Sequence, residues 1–231
     1  MSPELKQKIQ LMLGAAILIA GTRTAYIMYE RHEAAQPAAS REAPLNPDYY
    51  VVPKKLYPYD LQSAKELTKQ PVWVKEGYRY TYYPYDRHRA DFKHEAGLLL
   101  PIEKLQITDV VTDVVPGAPG QRQVLAVFEK DGKSYAVPIG SAKGSDYQIY
   151  SDEMFYIQDP HELYRHWTPE IWTAIEQHQV KPGMNELQAD FAIGMGVPER
   201  SSDPEVKTVN YPNGGKPVSV TYRDGKASEI R

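Results

Sequence analysis

The side chains best able to do chemistry begin with two histidines. His161-Glu162-Leu163-Tyr164-Arg165-His166 has the make-up of a zinc-protease helix but not its spacing. Two imidazoles bind one zinc from positions i and i+4, and a fifth step turns His166 about 140° away on a helix. The stretch reads instead as a solvent-facing helix capped by Asp159. A second concentration, Asp86-Arg87-His88-Arg89-Ala90-Asp91-Phe92-Lys93-His94-Glu95, would need to converge to move protons or hold metal, and no second cluster points at it. It reads as a solvated loop, with a phosphate or lipid-headgroup contact through Arg87, Arg89 and Lys93 as the alternative. Gly132-Lys133-Ser134 lacks the earlier glycine of a phosphate-binding loop, since Val127 stands there. No Ser/His/Asp set assembles by spacing, and no acid is isolated in an apolar run as a tuned proton donor would be. Catalytic, cofactor-binding and metal-ligating residues are therefore assigned to none, and no enzyme is expected.

One surface stands out. Tyr78, Tyr80, Tyr82, Tyr83 and Tyr85 belong to a chain with 18 tyrosines and only 4 phenylalanines. On a strand the first three share a face and Tyr83 takes the other. They are candidates for a partner-binding aromatic platform for peptide, glycan or protein. The alternative is that one face packs inward with its hydroxyls at the water's edge.

The composition narrows the setting. With 231 residues, 42% hydrophobic and 25% charged, the chain is ordinary globular material. A net charge of −3 gives no footprint for nucleic acid, which is excluded as a partner. The absence of cysteine removes disulfides, thiolate zinc sites, thiol nucleophiles and cysteine-linked lipid.

Residues 1–30 read as a membrane anchor. Residues 9–29 are about long enough to cross a ~30 Å hydrocarbon core. Ile9, Leu13, Ile17 and Ile19 would meet lipid, and Tyr26 and Tyr29 suit an interfacial belt. Small-residue pairs for signal cleavage occur only at 34–40, far beyond the apolar run, and cleavage there is the competing reading. Lys6 and Lys8 oppose Arg23 and Arg31, so charge barely orients the segment, and a short N-terminus favours the body outside the cytoplasm.

Residues 31–70 form a proline-rich linker ending in a short helix capped by Asp60. Residues 71–158 show five or six short strands between Pro/Gly turns, with a break expected at Pro84 and a hairpin at Asp131-Gly132. A small SH3-like or OB-like β-barrel is expected there. Residues 159–231 switch period. Thr168 and Asn185 each open a helix, Asn185-Glu186-Leu187-Gln188 being a capping box. Three strands follow at 205–211, 217–222 and 227–230, turned at Asn213-Gly214-Gly215 and Asp224-Gly225. The fold class is α+β, a transmembrane helix, a small barrel and an ααβββ unit.

That last unit resembles the BamE/SmpA/OmlA family of outer-membrane assembly lipoprotein domains. Gly183-Met184, Gln188, Phe191-Ala192-Ile193-Gly194, Pro198 and the closing Val218, Tyr222, Asp224-Gly225 and Ile230 carry the resemblance. Met195-Gly196 lengthens the joint before the proline, and the family's lipid-bearing cysteine is replaced by the apolar N-terminal segment. The resemblance implies helices docked on a meander and a bacterial cell-envelope setting. The expectation is a single-pass membrane protein, its C-terminal domains periplasmic, acting by binding other envelope or membrane proteins without a cofactor. The alternative is an accessory subunit of a membrane enzyme or transport complex.

Overall fold

The computed structural model describes residues 12–14, 18–29, 31, 46–77, 80–115, 117–118, 120–200, 203 and 205–231. Ile9, Ile17, Tyr78 and the small-residue pairs at 34–40 lie outside them. The chain divides into two units, Met1–Tyr49 and Tyr50–Arg231.

The first unit carries helix α1 (Met12–Tyr29), which is long and apolar enough to cross a membrane. Leu13, Ile19, Tyr26 and Tyr29 are all exposed. Thr22 and Thr24 turn their hydroxyls back onto the carbonyls of Leu18 (3.0 Å) and Ala20 (2.8 Å). Such back-bonding leaves no hydroxyl unsatisfied in an apolar setting.

The second unit opens with α2 (Leu61–Ala64), which tightens into a 3-10 turn over Lys65–Lys69. Asp60 accepts the Ser63 N–H at 2.7 Å, and Ser63 Oγ accepts the Asp60 N–H at 3.0 Å, closing a capping box. Strands β1 (Val72–Val74), β2 (Thr81–Asp86), β3 (Arg89–Ala90), β4 (Gly97–Leu98), β5 (Lys104–Leu105) and β6 (Ile107–Val114) follow. Next come β7 (Arg122–Lys130), β8 (Lys133–Lys143) and β9 (Asp146–Ile149). After α3 (Ser151–Met154), β10 (Phe155–Tyr156) and α4 (Pro160–Leu163) lie the two longer helices, α5 (Pro169–Glu176) and α6 (Glu186–Ile193). Strands β11 (Val197–Pro198), β12 (Val206–Tyr211), β13 (Val218–Arg223) and β14 (Lys226–Ile230) complete the unit.

Among the described residues the strands form three antiparallel sheets, and the fold is α+β. Seven strands follow the path β3-β2-β8-β7-β6, with β4 on β2 and β9 on β8. Four run β11-β12-β13-β14, and three run β10-β1-β5. None closes into a barrel, which corrects the expectation for residues 71–158. The α2 segment, rather than another strand, packs against β6. Lys65 pairs with Asp109 at 3.1 Å, Gln106 Nε2 donates to the Thr68 carbonyl at 3.1 Å, and Ala64 and Leu67 are buried in the adjoining core. Pro84 does not break β2. It lies inside the strand opposite Tyr135, giving its carbonyl to the Asp91 N–H at 2.9 Å.

The expected turns form where local chemistry demands them. Asp131-Gly132 and Asp224-Gly225 take positive φ at both positions (52° and 69°, 50° and 70°), the hairpin geometry for which Asp-Gly is suited. The Asn185 box closes on α6, with Gln188 N–H to Asn185 Oδ1 at 2.8 Å and Asn185 N–H to Gln188 Oε1 at 2.9 Å. Thr168 differs, as its side chain does not cap α5. Strand β11, pairing Val197 with Asn210, adds a fourth member to the expected meander.

Two large cores share one wall. Val72 and Val74 of β1 and Phe155 of β10 enter a core with Val110, Phe128 and Ile139 of the large sheet. Trp73 and Tyr156, their alternates, enter a second core with α5, α6 and the inner faces of β12 and β13. Period-two alternation therefore gives each face of the three-stranded sheet to a different core. A small third cluster on the other face of the large sheet joins Leu125, Val127 and Ala136 to Tyr85, Phe92 and Val111.

Candidate functional site

A cleft of about 470 Å³ opens where the shared wall meets α4 and α5. Trp73 lines it from β1, Ile102 and Lys104 from the turn into β5, and Asp159, His161 and Glu176 from the helical side. The turn is held by backbone bonds from Ile102 N–H to the Val74 carbonyl (2.8 Å) and from Val74 N–H to the Glu103 carbonyl (3.0 Å). Ile102 pays with a φ of 62°, an uncommon angle for a β-branched residue. Lys104 Nζ stands 5.3 Å from the Trp73 ring centroid.

His161 organises the opposite side. Its ring stacks on Trp172 at 4.0 Å and 28°. Nδ1 lies 2.9 Å from Asp159 Oδ1, and Nε2 lies 3.3 Å from Glu176 Oε1. Asp159 Oδ1 also accepts the His161 N–H at 2.9 Å, so one carboxylate caps α4 and fixes the imidazole. His178, at φ 53°, directs Nδ1 to the Ala192 carbonyl at 3.0 Å. Glu103 pairs with Lys130 at 2.5 Å, and Lys130 Nζ stands 5.6 Å from the Tyr82 ring centroid. The cleft thus has an aromatic and aliphatic wall, from Trp73, Ile102 and Ile175, and a polar rim in which Asp159 and Glu176 contact His161 and Lys104 lies against Trp73.

The tyrosine row divides as alternation requires. Tyr82 is buried and Tyr80 half-buried against the first core, Tyr82 meeting Phe128 (5.5 Å) and Tyr135 (5.0 Å) edge-on. Tyr83 and Tyr85 are half-buried on the opposite face, Tyr83 against Phe92 at 5.2 Å and Tyr85 in the third cluster. The charged stretch 86–95 is the β2–β3 hairpin and its exit. Arg87 and His88 take the turn at positive φ, His94 bonds Asp91 at 2.7 Å, and Arg89 faces the buried Asp113 at 3.9 Å. His166 lies beside Tyr164 and Trp167 rather than with His161. Among the described residues no group of three or more His, Asp or Glu is placed to hold a metal ion.

A second polar centre lies inside the α6–β12–β13 core. Tyr211 and Tyr222 share a hydrogen bond of 2.7 Å between hydroxyls, and burial pushes both phenols up. Asp190 of α6 is pushed up to about 7, first by burial and then by Glu186, against a hydrogen bond from Tyr211. Its Oδ1 is buried without a hydrogen-bond partner. Glu76 adds to the rise of Asp190 and accepts the Tyr156 hydroxyl at 2.7 Å.

Sequence reasoning treated Asp159 and His161 as a helix start and missed Trp73, Lys104 and Glu176 as their neighbours. The cleft draws on separate stretches, each bland by itself. No protein-family model, curated protein or solved structure matches this chain.

Proposed function

We propose that this is a single-anchor bacterial envelope protein that works by binding another envelope or membrane protein rather than by catalysis. In this reading α1 spans the inner bilayer and residues 50–231 stand on its periplasmic side. The exposed apolar length of α1 supports the anchor. The α5–α6 pair packed on the β12–β14 meander, with Phe191 and Met184 buried between, supports a BamE-like docking unit. The observation that carries the binding role is the Trp73–His161 cleft. Its two imidazoles and three carboxylates are each engaged within the protein, leaving Trp73, Ile102 and Ile175 to meet a partner's side chains.

The test is site-specific photo-crosslinking from Lys104 in intact membranes. A discrete adduct with an envelope or membrane protein is expected, and Glu176→Lys on the opposite rim should abolish it. An adduct indifferent to Glu176→Lys, or none at all, would overturn the binding role. Release of the full chain by carbonate would separately overturn the anchor.

A further inference from the structure

Residues 51–59 carry neither helix nor strand and form a strap along the body, some of its side chains covered and the others exposed. Val51 packs against the second core, Leu56 against the first, and Pro58 is buried. Side chains between them are exposed. Val52 is 83% exposed, Tyr57 68% and Tyr59 78%, and Lys54 and Lys55 are exposed between them. The strap is fixed, with Lys54 N–H donating to Gln158 Oε1 at 2.7 Å and Tyr59 N–H to Ser63 Oγ at 3.0 Å. Lys55 Nζ lies 6.0 Å from the Tyr57 ring centroid. Neither lysine forms an ion pair among the described residues.

We propose that this outward row is a lipid-contact surface that rests the body on an anionic bilayer. The proposal rests on the reading of α1 as a membrane anchor. Two observations favour a bilayer over a protein partner. First, the row combines the side chains suited to a lipid interface, tyrosine with its amphipathic ring and lysine with its flexible cationic stem. Second, only residues 30–49 separate α1 from the strap. Even fully extended, twenty residues reach no more than about 70 Å, so a bilayer that holds α1 is met by the body at high effective concentration. A contact too weak to recruit a free protein is then strong enough to orient a tethered one. Lys54 and Lys55 supply attraction to anionic headgroups, and Tyr57 and Tyr59 supply apolar contact that tolerates water.

The chain has no cysteine, so one introduced thiol is labelled without ambiguity. Val52→Cys carrying an environment-sensitive fluorophore is placed in the full chain and reconstituted into vesicles of phosphatidylcholine, alone or mixed with phosphatidylglycerol. Nitroxide-bearing lipid should quench the fluorophore strongly in the mixed vesicles and weakly in the zwitterionic ones. Lys54→Gln with Lys55→Gln should weaken the contact at least about fivefold, given the attraction of each cation near an anionic surface. Tyr57→Ser with Tyr59→Ser should weaken it in both lipids. The altered side chains face outward, so an unchanged thermal midpoint of the body confirms folding. Quenching unaltered by both double variants would show a contact imposed by the tether alone and would overturn the proposal. So would a fluorophore unquenched in floating, carbonate-resistant vesicles, with the anchor standing. A chain that does not float overturns the anchor and the proposal together.

Discussion

Tyr211 and Tyr222 meet hydroxyl to hydroxyl at 2.7 Å, although Tyr222 pairs across the sheet with Lys207, four positions from Tyr211. Both rings must lean along their strands to touch, and they do so beneath α6, beside the carboxyl of Asp190. A carboxyl with a buried, unpartnered oxygen is costly when ionised and tolerable when protonated. The docking of α6 on its sheet is therefore coupled to one proton.

The first prediction follows from that proton. Asp190 is held at about 7 in the folded chain against 3.8 in the open one. Between these values the folded state binds the proton more tightly, so the contribution of Asp190 to stability is full below the lower value and lost as pH rises through the higher. Glu186 and Glu76 reinforce the shift, and Lys207 opposes it. Asp190→Asn keeps a polar group for Tyr211 and removes the titration. Its denaturation midpoint relative to the parent should rise by the equivalent of a few kcal/mol between about pH 4 and about pH 8, at about 1.4 kcal/mol per unit of displacement. A parallel pair of pH–stability curves would mean that Asp190 titrates in the folded chain as it does in the open one.

Phe191 tests the packing of the same helix. Its ring is fully buried and meets Tyr164 at 4.9 Å and Trp167 at 5.0 Å. Phe191→Ala should cost about 3–5 kcal/mol, as expected for a large buried aromatic. Gln188→Ala, which opens one bond of the capping box, should cost about 1 kcal/mol. Equal small losses in chemical denaturation would mean that α6 does not close this core.

What was legible in the sequence was local. The Asn185–Gln188 box and the Asp-Gly turns carry their reasons within four residues, and the tyrosine row alternates as any strand must. Which face of that row is buried depends on Phe128 and Tyr135, some fifty residues away in the chain, so alternation alone left it open. The cleft was hidden for the same reason. Trp73 meets the His161 side only because β1 pairs with β10, and a three-residue Val-Trp-Val strand does not announce its partner. Pro84 was misleading because its carbonyl, not its missing N–H, is what the hairpin uses. Closure into a barrel failed on a helical segment that sequence had assigned to the end of a linker.

The strap yields a third prediction. Residues 50–59 were expected as a spacer, yet Val51 and Leu56 pack against the two cores and Pro58 is buried. A chain starting at residue 46 should therefore be more stable than one starting at residue 60, by about 2–4 kcal/mol for the apolar surface covered. Equal unfolding midpoints in urea would mean that the strap merely lies on the surface.

The shared wall makes the last prediction. All 3 tryptophans, Trp73, Trp167 and Trp172, lie in the second core. Phe128 lies in the first, fully buried on β7. If the two cores were independent domains, Phe128→Ala would destabilise only the first, and tryptophan emission would report an undisturbed transition. The alternation along β1 argues otherwise, since Val72 and Val74 cannot leave one core without Trp73 leaving the other. Phe128→Ala should therefore move the tryptophan transition and the far-ultraviolet transition together, by the same interval, for a loss of about 3–5 kcal/mol. Phe191→Ala should do the same from the opposite side. Two separated transitions, with tryptophan emission unmoved by Phe128→Ala, would show that the wall parts cleanly and that residues 71–158 fold without the rest.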